Sequence, residues 1–136
     1  MREWSTVVLA LLLWACAEPP RLPLRAPNLP PQILTQECDG LRVQLTLDRG
    51  HQSALVADVF VSDVAGQILS DLSRVVLAFT RKTQVDTTTT LVAQLREAGH
   101  YVPVSAFPLT SDPWTVEVIL RRTNSSAASC FFALDL

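Results

Sequence analysis

From Leu41 to the C-terminus the chain alternates apolar and polar side chains with a period of two. "LRVQLTL" sets Leu41, Val43, Leu45 and Leu47 against Arg42, Gln44 and Thr46, which is the pattern of a half-buried strand. "DRGHQS" turns the chain, and "ALVADVFVS" resumes the alternation with Leu55, Ala57, Val59 and Val61 opposite Asp58 and Ser62. "DVAGQ" reads as a polar turn in which Gly66 supplies a positive φ. "SRVVLAFTR" puts Val75, Leu77 and Phe79 on one face. "WTVEVILRR" sets Trp114, Val116, Val118 and Leu120 against Thr115, Glu117 and Arg121. "TLVAQLR" follows a threonine run at 87–90 whose β-branching favours extended backbone; "LVAQLREAGH" also reads as one or two turns of helix. "EAGHYVPVSAF" makes a further turn and strand, and "SCFFALDL" closes the chain.

About seven short strands separated by turn signals predict an all-β domain, an antiparallel sandwich, over residues 37–136. Trp114 is expected in its core, packed between sheets. Tyr101, just after Gly99, is placed either to donate its hydroxyl to a nearby backbone carbonyl, as in a tyrosine corner, or to stand as an ordinary half-buried tyrosine.

Ahead of the domain the pattern changes twice. Arg2 precedes an apolar run at 6–14, and small residues follow at Ala15 and Ala17. This three-part order matches an export signal, too short for the roughly 20 residues of a spanning helix. Two cleavage sites compete. Ala15-Cys16-Ala17 fits cleavage before Glu18 by an ordinary signal peptidase. Leu13-Trp14-Ala15-Cys16 fits a bacterial lipobox with Cys16 as the lipidated first mature residue, and is preferred because a cysteine rarely falls at that junction by chance. The predicted signal is then residues 1–15. Six of the nine prolines follow, at 19, 20, 23, 27, 30 and 31, so residues 16–36 read as an extended, Pro-rich tether between a lipid and the domain.

Three cysteines leave an odd thiol in an oxidising compartment. With Cys16 lipidated, Cys38 and Cys130 remain. A bridge between them closes most of the domain into one loop and stabilises by roughly 4 kcal/mol in the chain-entropy model. Two buried free thiols are the alternative.

The order of features from Leu41 onward resembles the YtkA-like family of bacterial extracytoplasmic domains. The stretches that carry the resemblance are "LTLDRG", "VFVSDVAGQIL", "RVVLAFT", "GHY" and "DPWTVEVILRR", together spanning nearly all of 41–122. Members occur alone, often as lipoproteins, and fused to the CopD type of copper-resistance membrane protein. The resemblance implies an immunoglobulin-like sandwich in the cell envelope and an indirect link to copper homeostasis.

Candidate chemistry is sparse. The only histidines are His51 and His100, both in expected turns, and no Gly-x-Ser-x-Gly, phosphate loop or His-x-x-x-His spacing is present. The domain is therefore expected to be non-catalytic and to need no cofactor. For copper, Asp48 with His51 across one turn, joined by His100 if its turn lies at the same end, are the weak candidate ligands; ordinary turn residues are the preferred reading. Arg121 and Arg122 point to opposite faces of a strand and are read as a solvated strand end. A net charge of −2 offers no electrostatic case for nucleic acid. The expected partners are the membrane, through Cys16, and an envelope or membrane protein. The expected function is that of a binding or accessory module, with an envelope copper carrier as the alternative.

Overall fold

The computed structural model describes residues 30–49, 54–105, 107–108 and 113–134. Cys16, His51 and the residues assigned to signal and most of the tether lie outside the described residues. Within them the chain is all-β, with every ladder antiparallel. The strands are β1 (Gln32–Cys38), β2 (Leu41–Arg49), β3 (Ala54–Asp63), β4 (Leu72–Arg81), β5 (Gln84–Glu97), β6 (His100–Pro103), β7 (Phe107–Pro108), β8 (Trp114–Arg122) and β9 (Ala128–Leu134). Their order in the sheet is β1-β2-β3-β6-β5-β4-β8-β9, with β7 on β3.

The alternation in the sequence dictates the interior. Leu41, Val43, Leu45 and Leu47 from β2 meet Leu55, Ala57, Val59 and Val61 from β3, Val75, Leu77 and Phe79 from β4, and Trp114, Val116, Val118 and Leu120 from β8 in one buried cluster. Each fully buried aliphatic or aromatic side chain contributes about 1.5–3 kcal/mol by leaving water. The far end of the core is plugged by aromatics. Phe79 stacks on Phe107 with centroids 4.4 Å apart, and Phe107 meets Trp114 edge-on at 5.1 Å. The Arg81 guanidinium sits 5.1 Å from the Trp114 ring centre, a favourable cation–π geometry.

The sheet's two edge strands are drawn together by the Cys38–Cys130 disulfide, which joins β1 to β9 with the Cα atoms 5.7 Å apart and 92 residues between them. The sheet therefore curls almost into a barrel, and the bridge staples its open seam. The expected disulfide is thus present.

Three features depart from the sequence reading. Nine strands form where about seven are predicted. β1 overlaps residues 32–36, assigned to the tether; as an exposed edge strand only Leu34 and Cys38 turn partly inward, so it carries no alternation to read. The two-residue β7 is too short to leave a periodic signal. Residues 84–97 are strand throughout, so the helical option for "LVAQLREAGH" does not form. β4 is buried on both faces over residues 75–79, because its outward Val76 lies between Val92 of β5 and Ile119 of β8.

The "DVAGQ" turn forms as expected. Gly66 takes φ +86, Asp63 Oδ1 accepts from the Gln67 backbone N–H at 2.8 Å, and the Asp63 carbonyl accepts from the Gly66 N–H at 3.0 Å.

Candidate functional site

On the outer face of β2, β3 and β6 the polar phase of the alternation brings five side chains around one shallow recess of about 300 Å³: Gln44, Thr46, Asp58, Phe60 and His100. Strand register places them. Gln44 lies opposite Phe60, and Phe60 opposite His100, in one rung across three strands; Thr46 and Asp58 form a rung beside it. Their backbones are held by core-facing neighbours on both sides, Val43 and Leu45 on β2 and Ala57, Val59 and Val61 on β3. The platform is therefore rigid although it faces solvent.

Asp58 and His100, 42 residues apart in sequence, are joined by a hydrogen bond of 3.0 Å between Oδ1 and Nδ1. The carboxylate accepts from the Nδ1–H tautomer, which leaves Nε2 as the ring's other polar atom. Both side chains are about 40 % exposed, so the pair contributes at most about 1 kcal/mol to folding. Its value lies in fixing the imidazole's orientation.

The Phe60 and His100 rings lie 4.8 Å apart at 45°. Phe60 also lies against Gly99, where an added Cβ would fall 2.8 Å from Phe60 Cε2 and 3.4 Å from Ile68 Cγ1. Gly99 has φ +82 and its carbonyl accepts from the Val61 N–H at 3.0 Å. Only glycine combines that backbone with an aromatic ring lying against it.

Of the residues singled out in the sequence, His100 falls in the recess. Asp48 is exposed on the outer face of β2, beyond Thr46, and does not line it. Among the described residues no group of three His, Cys, Asp or Glu side chains converges in a way that could hold a metal ion. Asp58, Phe60, Gln44 and Thr46 escaped the sequence reading. The available signal was Phe60, a large aromatic on the polar phase of "ALVADVFVS".

A second polar cluster sits at the end of β4 and β8. Arg122 Nε donates to Asp71 Oδ2 at 2.8 Å with both side chains about four-fifths buried, and Thr123 N–H donates to the Asp71 carbonyl at 2.8 Å. The solvated-end reading holds for the exposed Arg121 and fails for Arg122, whose partner lies 51 residues away. Nearby, Tyr101 is buried, 7 % exposed. Burial, and then the negative charge of Asp71, push its phenol pKa above the ordinary 10.0. Its hydroxyl makes no hydrogen bond among the described residues, so the tyrosine-corner option is not realised there.

No family model matches the chain, and no curated protein matches it. Among solved structures it is similar to a DUF4426 family protein from Pseudomonas aeruginosa PAO1, with a TM-score of 0.54 and 11% identity, over 76% of this chain and 94% of that one. At that identity the likeness concerns the fold.

Proposed function

We propose that this chain is a bacterial envelope lipoprotein whose β-domain is a non-catalytic recognition or accessory module, working through the recess at Asp58, Phe60 and His100. In this reading lipid on Cys16 anchors the chain to a membrane, and the Pro-rich residues after it hold the domain away from the surface. The domain is of the immunoglobulin-like, YtkA-like kind, and any link to copper homeostasis runs indirectly through a membrane partner.

The observation that carries the reading is the recess itself. A part-buried aromatic and an oriented, half-exposed imidazole–carboxylate pair stand together on the polar face of the sheet, and the pair adds little to stability. Aromatic groups flanked by a few placed polar ones are what small recognition sites are made of.

The test is photo-crosslinking in intact cells. A photo-reactive residue at Gln44 of the full chain should yield an adduct with an envelope component, and the same residue at Thr88, exposed on β5, should not. Equal adducts at both, or none at Gln44, would remove the reading. Intact mass from a membrane extract tests the anchor: a diacylglyceryl group on Cys16 supports it, and a product beginning at Glu18 removes it.

The copper-carrier alternative draws on the Asp58–His100 pair, since a carboxylate on one ring nitrogen makes the other a better metal donor. It needs further ligands, for which the sequence offers Asp48 and His51. Stoichiometric copper in native mass spectra, lost in His100→Gln, would favour it.

A further inference from the structure

We propose that the recess binds a neutral sugar, one to two rings of an oligosaccharide. The proposal rests on the recognition reading above and names its ligand class.

Charge comes first. The five lining residues include one carboxylate and one imidazole, hydrogen-bonded to each other, and no lysine or arginine. Nothing there attracts a phosphate, sulfate or carboxylate. One Asp58 oxygen already accepts the hydrogen bond from His100.

Hydrogen-bonding capacity comes second. With Nδ1–H given to Asp58, the recess offers acceptors at the remaining Asp58 lone pairs, at His100 Nε2, at the Gln44 amide oxygen and at the Thr46 hydroxyl. Donors come from the Gln44 amide and the Thr46 hydroxyl. A set that is rich in acceptors yet holds some donors suits a ligand whose every hydroxyl both gives and takes.

Shape comes third. Gln44, Phe60 and His100 span three adjacent strands, and Thr46 and Asp58 occupy the next rung on the same face. At about 4.8 Å between strands and about 7 Å between like-facing residues, the platform measures about 10 Å by 7 Å. That footprint suits one or two pyranose rings, and a volume of about 300 Å³ exceeds what a lone ammonium fills. The part of the Phe60 ring that lines the recess supplies an apolar contact for the C–H groups of a sugar. Gly99 and His100 hold that ring in place before any ligand arrives.

The experiment uses full-length protein extracted from membranes in detergent, titrated with neutral hexose and N-acetylhexosamine oligosaccharides of two to six rings. Saturable binding to at least one of them is expected. Phe60→Ala and Asp58→Asn should each weaken it by about tenfold or more. Phe131→Ala, at an exposed aromatic on β9 outside the recess, should leave it unchanged. Thermal melts of all three variants verify folding, and Asp58→Asn preserves the side-chain shape should Phe60→Ala fail to fold. Binding that persists in both recess variants would overturn the proposal. So would the absence of neutral-sugar binding, including the case where tetramethylammonium or an acidic oligosaccharide binds instead. If no sugar binds but the Gln44 crosslink in cells persists, the sugar assignment alone falls; if both are absent, the recognition reading falls with it.

Discussion

Gly99 and Phe60 are in direct contact on the outer face of the sheet: the glycine has φ +82, and a Cβ on it would lie 2.8 Å from Phe60 Cε2. The ring is seated on bare backbone, and the His100 ring, on the next residue along, lies 4.8 Å from it. Gly99→Ala should therefore cost about 1–2 kcal/mol of stability from backbone strain. It should also displace Phe60, seen as shifted aromatic NMR signals of Phe60 and His100. A variant with unchanged midpoint and unchanged signals would show that the contact is not needed.

The seam between β1 and β9 is held by Cys38–Cys130. Replacing both cysteines by serine should lower unfolding free energy by about 4 kcal/mol, measured by urea denaturation against the oxidised protein. β1 contributes only two partly buried side chains to the core. Its amides should then become the fastest-exchanging of any strand when the bridge is removed.

Arg122 and Asp71 form a largely buried ion pair, reinforced through the Asp71 backbone by Thr123. Arg122→Ala leaves a carboxylate with little water around it. A loss of about 1–3 kcal/mol is expected in the same urea assay. Arg121→Ala, on the exposed face, should stay within about 0.5 kcal/mol of wild type.

Tyr101 carries a phenol whose pKa is raised by burial and by Asp71. For a group raised in the folded state, the stabilisation is complete below its unfolded pKa, near 10 for tyrosine. It is lost as pH climbs from there through the folded value. Stability should thus fall above pH 10, and Tyr101→Phe should remove that part of the fall. The same variant should lie within about 1 kcal/mol of wild type at neutral pH, because the Tyr101 hydroxyl makes no hydrogen bond among the described residues.

The core was legible because period-two alternation encodes which face is buried. Every position assigned inward on β2, β3, β4 and β8 lies inside. β1 and β7 were not legible. One is an edge strand with almost nothing to bury, the other is two residues long, and both owe their structure to the strands they pair with. The site was less legible than the fold. His100 stood out by its residue type, but its partner Asp58 lies 42 residues away and meets it only through the β3–β6 register. Arg122 and Asp71 were hidden for the same reason. Contacts made by strand pairing leave no local trace in sequence, whereas an aromatic on the polar phase, such as Phe60, does.

The most direct test is hydrogen-exchange mass spectrometry of the full chain in its own membranes against the purified protein. Recognition at the recess requires slower exchange in peptides covering residues 41–49, 54–63 and 97–103, with β4 and β8 unchanged. Protection that falls instead on residues 72–81 and 114–122, leaving the recess strands as they were, would contradict it.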